Sequence, residues 1–227
     1  VSDNLKIAVY ILAMTLVVSV VLAFFSSALA PGIAKNIELD RQGLIVQSFV
    51  DDPNVDIESF YSDKIDYIVM NGKGDKVEMD PKDIDIRKEW KKPFEERNIP
   101  IYVYEGNKGK KFSVPLYGKG LWDDIWGYVS LDDDMKTIND AVFDHKAETP
   151  GLGAEINNYA RFQDQFKGKQ LFDEDNEYVF EVLKGEGNQL SVHTVDGISG
   201  ATVTARGVDK MFKNDISNLA NFFQKIK

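Results

Sequence analysis

The chain has 227 residues, 37 acidic against 27 basic, and a formal net charge of −10, a balance that repels phosphate backbones and argues against nucleic-acid binding. It contains no cysteine, which removes disulfides, thiolate nucleophiles and cysteine-ligated iron–sulfur clusters and leaves any redox chemistry to an organic cofactor. The two histidines, His145 and His193, lie far apart and show no metal-ligand spacing, so no metal site is expected.

Residues 7–30 carry no charge and as a helix reach roughly 36 Å, enough to span a bilayer with some tilt. Ala28-Leu29-Ala30 looks like a small-x-small cleavage site, but the apolar run is long for a signal peptide and Pro31 follows directly. Residues 1–30 are therefore read as a retained transmembrane anchor, ended by Pro31-Gly32. Lys6 on one side and Lys35 and Arg41 on the other leave its orientation almost undetermined. Thr15, Ser19 and Ala23 share one helix face and suit close approach of a partner helix.

Residues 31–98 read as a juxtamembrane and leading α/β region: a short helix over 37–50, an acidic turn-rich stretch over 51–63, a strand over 66–70, a turn at Asn71-Gly72 and a return at 76–78. The charged stretch 80–92 reads as surface. In residues 99–227, strands are expected over 99–105, 112–116, 125–131 and 138–143, with a turn over 106–109. Helical spacing runs through Ile156, Tyr159, Phe162 and Phe166, and two further strands fall over 178–183 and 190–195. The last helix is the clearest element, with Val208, Met211, Phe212, Ile216, Leu219, Phe222, Phe223 and Ile226 on a 3.6-residue period and Thr204 as candidate N-cap. The class is α+β: an N-terminal transmembrane helix followed by an antiparallel-rich sheet with packed helices.

Three segments carry chemistry. In Asp196-Gly197-Ile198-Ser199-Gly200-Ala201-Thr202 a small-residue turn brings a threonine into an amphipathic helix. Backbone amides there can approach phosphate oxygens, and the helix adds unpaired N–H groups and the positive end of its dipole. An ordinary loop and cap would use the same residue types. Glu148-Thr149-Pro150-Gly151-Leu152-Gly153 makes a turn able to lie against a flat ring. Pro115-Leu116-Tyr117-Gly118-Lys119-Gly120-Leu121-Trp122 supplies close backbone approach and an apolar, aromatic wall. Lys184, at the end of an expected strand, reads by itself as an ordinary surface lysine, or as a cation set beside the edge of such a ring.

Taken together and in this order, the three segments resemble the FMN-binding domain family. The resemblance implies that Thr202 is joined to FMN through a phosphoester. It also implies cofactor-binding roles for Gly118, Gly120, Leu121, Trp122, Glu148, Thr149, Leu152, Gly153, Lys184, Asp196, Ser199, Gly200, Ala201 and Thr204. Asp196, Ser199 and Gly200 would serve in part as the recognition signal for a flavin transferase that makes the bond. The Gly-x-Gly-Leu-Trp signature is similar to the branch of the family found in a sodium-pumping NADH:quinone oxidoreductase, and differs from the branch in the Rnf electron-transport complex.

The same resemblance implies an electron-carrier subunit with no catalytic residue and no turnover of its own. Its expected partners are other subunits of a membrane redox complex, the transferase during maturation, and membrane lipid. Its expected place is a bacterial inner membrane, single-pass, with the flavin domain outside. An Rnf-like component, an anchored extracytoplasmic flavin reductase and a flavin-free assembly protein are the alternatives.

Overall fold

The computed structural model describes residues 2–106 and 109–219. The chain falls into two units, Val1–Gln42 and Gly43–Lys227.

The first unit consists of the greater part of one helix. Helix α1 spans Asp3–Phe49 and runs through Pro31, so the expected stop at Pro31-Gly32 and the separate helix over 37–50 are replaced by one element. Proline removes one intrahelical bond, yet the residues after it, Ala34, Lys35, Glu38, Leu39, Arg41 and Gln42, are good helix formers. The Arg41–Glu38 pair, at 2.9 Å, braces that turn. Among the described residues α1 is the one helix long and apolar enough to cross a membrane, which fits a single-pass anchor.

The second unit is built on a six-stranded antiparallel sheet, ordered β2-β1-β3-β4-β5-β6. Its strands are β1 (Ile65–Asn71), β2 (Lys76–Val77), β3 (Asn98–Gly106), β4 (Gly109–Lys119), β5 (Asp124–Leu131) and β6 (Ile138–His145). Helix α2 (Ile57–Lys64) precedes the sheet, and a single turn, α3 (Ile86–Glu89), sits between β2 and β3. Strand β1 pairs with β3 from Ile65↔Tyr104 to Asn71↔Asn98. The sheet thus runs straight across the expected division at residue 98, because the apolar residues of β1 complete the same core. The turn expected over 106–109 lies partly outside the described residues.

Neighbouring residues along the strands point to opposite faces, and both faces are covered. On one, Ile101, Val114, Leu116, Val129 and Phe143 pack under Phe162, Phe166, Val208 and Phe212. Phe166 and Phe212 stack at 5.5 Å between ring centroids. On the other, Tyr102, Tyr128 and Val142 take Ile45 and Phe49 from the end of α1. Buried polar groups fix that end: Asn139 Nδ2 donates to the Ser48 carbonyl at 3.0 Å, Ser130 Oγ donates to the same carbonyl, and the Ser48 and Ser113 hydroxyls meet at 2.8 Å. A helix end left with unmet carbonyls needs such partners when it is buried.

Between β6 and the C-terminal helix the chain is less regular than its spacing suggests. The 153–166 stretch forms two 3₁₀ turns, Gly153–Asn157 and Gln163–Phe166, while Ile156, Phe162 and Phe166 still enter the core. The strands expected over 178–183 and 190–195 shrink to a parallel pair, β7 (Glu181–Val182) and β8 (Thr194–Val195). Helix α4 (Thr202–Met211) continues into a π-helical turn, Phe212–Ile216. Its N-cap position is Ala201, and Thr204 lies inside the first turn, which corrects the expected cap. Phe222, Phe223 and Ile226 lie outside the described residues.

Candidate flavin site

Three segments distant in sequence meet at the start of α4. They enclose a cleft of about 210 Å³ lined by Leu121, by Glu148, Thr149, Leu152 and Gly153, and by the 200–204 stretch. Apart from Thr204, which follows the attachment motif by two residues, the candidate residues in that lining come from the three motifs. Val203, exposed on the first turn of α4, also lines it and had no signal in the sequence beyond its place beside Thr202.

The turn entering α4 is shaped for close approach. Gly200 has φ +81°, a conformation glycine adopts without cost, and a Cβ there would stand 3.0 Å from Leu152 Cδ2. No side chain caps the helix, and the Ala205 amide bonds to the Ala201 carbonyl at 3.0 Å. The amides of Thr202, Val203 and Thr204 are therefore left without intrahelical acceptors. Thr202, half-buried, offers its hydroxyl at the point where these N–H groups and the helix dipole favour an anion.

Glu148 organises the opposite wall. It is 5% exposed; its Oε1 accepts the Trp122 amide at 2.9 Å and its Oε2 accepts the Thr204 hydroxyl at 2.7 Å. Next along the chain, Thr149 Oγ1 accepts the Trp122 indole N–H at 3.1 Å. Trp122 is thereby held at both backbone and ring while remaining 68% exposed, so it is no core residue. Trp122 is itself absent from the cleft lining, though its ring is bonded to Thr149, which lines it. Leu121, Leu152 and Val203, all exposed, form an apolar rim around a polar floor, the mix a flat aromatic ligand needs.

Charge pairs stiffen the loop that presents this wall. Lys119 and Arg87 both engage Asp124, the latter at 3.0 Å, and Lys146 reaches Asp123 at 2.8 Å. Burial raises the Asp124 carboxyl, but Lys119, Tyr117 and Arg87 overcome that and hold it below the usual carboxylate range.

The remaining candidates are placed differently. Asp196 points away from the cleft and accepts the Gly187 and Asn188 amides at 2.9 and 3.1 Å and the Asn188 side chain at 2.6 Å. Burial works against its charge, but these donors more than offset it and lower the carboxyl's pKa. Ser199 is exposed and its amide donates to Glu186 at 3.2 Å. Both residues build the turn; neither lines the cleft. Gly118 packs under Met211, and Gly120 lies against Glu148. Lys184 is exposed and absent from the lining. Its loop packs on Gly197 through the Leu183 carbonyl and the Gly185 amide, so the loop abuts the turn that precedes α4, and no residue of the loop lines the cleft.

Comparison with known proteins agrees with this geometry. The FMN-binding domain family matches residues 120–217. The NqrC subunit of the Na(+)-translocating NADH-quinone reductase of Neisseria meningitidis serogroup A / serotype 4A (strain DSM 15465 / Z2491) is 32% identical over 224 residues, covering 90% of this chain and 86% of that protein. The chain belongs to the NqrC family of Na(+)-translocating NADH-quinone reductase subunits. Among solved structures, the same subunit from Parabacteroides distasonis ATCC 8503 superposes with a TM-score of 0.73 at 35% identity, covering 83% of this chain and 93% of that one. Shewanella oneidensis NqrC gives 0.69 at 28% identity, with 85% and 97% covered. The NqrC fold thus accounts for the sheet and its packed helices, and the FMN-binding match spans the whole cleft.

The residues present fit FMN. An uncapped helix start beside a hydroxyl suits a phosphate, and the rim of Leu121, Leu152 and Val203, with the exposed Trp122 ring bonded to Thr149 beside it, suits a broad, mostly apolar ring. The buried carboxylate of Glu148 is fully engaged by two donors, leaving it to shape the site.

Proposed function

We propose that this chain is the electron-carrying NqrC subunit of a sodium-translocating, membrane-bound NADH:quinone reductase, with FMN attached to Thr202 Oγ1 through a phosphoester. One observation carries the reading: Thr202 opens an uncapped α4 inside a cleft formed by all three motifs. Bound FMN supplies the one-electron chemistry that the side chains here do not. The chain's own residues then have limited tasks. The α4 amides neutralise the phosphate, Trp122, Leu121 and Leu152 bed the ring, and the open side of the cleft lets a partner cofactor come within transfer distance.

Attachment is a modification made by a flavin transferase outside the cytoplasm, with magnesium and FAD. The Thr202 hydroxyl attacks the flavin-side phosphorus, the new O–P bond replaces the pyrophosphate bond, AMP leaves, and the hydroxyl proton passes to solvent. Asp196, Ser199 and Gly200 shape the turn the transferase reads. The chain is anchored by α1 in a bacterial inner membrane with the sheet unit outside, works with other subunits of the complex, and turns nothing over alone.

Mass spectrometry of chain made beside the transferase tests this. The peptide containing Thr202 should carry the mass of an FMN phosphoester, present in Thr202→Ser and lost in Thr202→Val. An unmodified peptide from transferase-positive cells would end the proposal.

A further inference from the structure

We infer that Glu148 is a positioning residue: its buried carboxylate locks the first turn of α4 to the Leu121-Trp122 wall and so sets the spacing between the attachment hydroxyl and the aromatic face. The inference rests on the reading that Thr202 carries FMN. Its two oxygens divide their work. Oε1 takes the Trp122 amide and Oε2 takes Thr204 Oγ1, two residues beyond the attachment threonine. These partners stand 26 and 56 residues away along the chain, so one carboxylate joins the ring end of the cleft to its phosphate end.

The niche is built around this group. A Cβ at Gly120 would lie closer than 3.0 Å to Oε1, and one at Gly153 closer than 3.0 Å to Oε2 and 2.7 Å from Thr204 Oγ1. Two glycines thus make room for a carboxylate. Both of its partners are donors. A glutamine can keep both contacts by turning its N–H₂ to the Thr204 hydroxyl, which also accepts, whereas a leucine of similar size removes both acceptors. Among the described residues no lysine or arginine forms an ion pair with Glu148. Its charge is met by an amide, a hydroxyl and the positive end of α4.

The test uses the full-length chain flavinylated in transferase-positive cells and compares Glu148→Leu, Thr204→Val and Thr204→Ser. Flavin per chain, visible circular dichroism of the attached flavin and thermal melting are read on the same samples. The dichroism reports a ring fixed in one asymmetric setting, which global stability alone does not move. Thr204→Ser, which keeps the hydroxyl, should match the parent in flavin content and dichroism. Glu148→Leu and Thr204→Val should either lose at least half of the visible dichroic signal per flavin or fail to accept flavin while still melting cooperatively.

Parent-like flavin content and dichroism in Glu148→Leu or Thr204→Val would overturn the inference, as would Thr204→Ser behaving like Thr204→Val. Should Glu148→Leu not accumulate, the Thr204 pair decides alone. A parent chain without flavin would instead strike the Thr202 reading, so the two failures are distinct.

Discussion

The Tyr117 amide donates to Asp215 Oδ2 across 3.2 Å, tying the strand that delivers the flavin wall to the π-helical turn behind α4. The β3–β4 ladder runs from Tyr102↔Ser113 to Gly106↔Gly109, so Tyr117 lies beyond it and lacks a sheet acceptor on that side. Asp215, buried within the π turn, supplies one. Arg97 stands 3.4 Å from the other oxygen.

That arrangement predicts a pH dependence. Burial pushes the Asp215 carboxyl up to about 7, with the Tyr117 amide and Arg97 offsetting only part. Burial likewise raises Asp140 to about 6 against the pull of Lys167. Unfolded, both sit near 3.8. Between these values the folded chain holds protons that the unfolded chain has released, so stability falls as pH rises from about 4 to about 7 and is level above that. The slope is at most about 1.4 kcal/mol per pH unit for each carboxyl. Asp124 and Asp196, held low, lose their contribution only in more acid solution. Melting of the detergent-solubilised chain should therefore drop between pH 5 and 7.5, and Asp215→Asn should flatten the drop. An unchanged slope in both Asp215→Asn and Asp140→Asn would show that neither carboxyl is kept protonated.

Gly151 and Gly153 separate backbone strain from site geometry. Gly151 has φ +75° and open space around a would-be Cβ. Alanine there should cost about 1 kcal/mol through its left-handed conformation alone. At Gly153 the added methyl meets Glu148 and Thr204, an overpacking cost of about 1–3 kcal/mol. Both variants should melt earlier, but Gly153→Ala alone should reduce flavin per folded chain. Equal flavin content in the two would mean that the Glu148 niche tolerates displacement.

Trp122 offers the opposite split. It is mostly exposed, so Trp122→Ala should change stability by less than about 1 kcal/mol. Losing one wall should still shift the absorption and midpoint potential of the attached flavin. A redox titration identical to the parent's would leave Trp122 with no part in the site, and a large loss of stability would contradict its exposure.

How far the sequence could be read depended on where hydrogen bonds had to be made. The long strands were legible because Ile99, Ile101 and Val103, or Phe112, Val114 and Leu116, alternate on one face. The 153–166 stretch was not. Ile156, Phe162 and Phe166 are spaced for a helix because they serve one core, yet the backbone between the two turns breaks at Asn158, whose φ and ψ are extended. The short β7–β8 pair is similar: Phe180, Val182 and Val195 reach the core from a chain too irregular for long ladders. At the site, the motifs supplied nearly every residue lining the cleft, since the glycines and hydroxyls needed there are local. The bonds of Glu148 were hidden, because nothing in a sequence says that residue 148 will face residues 122 and 204. Lys184 is exposed and outside the lining; a place near a strand end says nothing of what the loop there packs against.

Asn139 should decide how firmly the end of α1 is held. Its amide nitrogen caps the Ser48 carbonyl and also meets Ser130 Oγ at 2.8 Å, while its oxygen accepts from Lys111. Asn139→Ala leaves the carbonyl to Ser130 alone and removes the bridge between them, a loss of about 1–3 kcal/mol for a part-buried network. The apolar contacts of Ile45 and Phe49 on Tyr102, Tyr128 and Val142 would then open more often, loosening the backbone of the already largely exposed 50–56 stretch beyond the helix. Limited proteolysis of the chain in membranes should cut within 50–56 several-fold faster in Asn139→Ala, while cleavage in other exposed segments keeps its parental rate. A parental rate within 50–56 together with parental melting would show that apolar packing alone fixes this end of the helix.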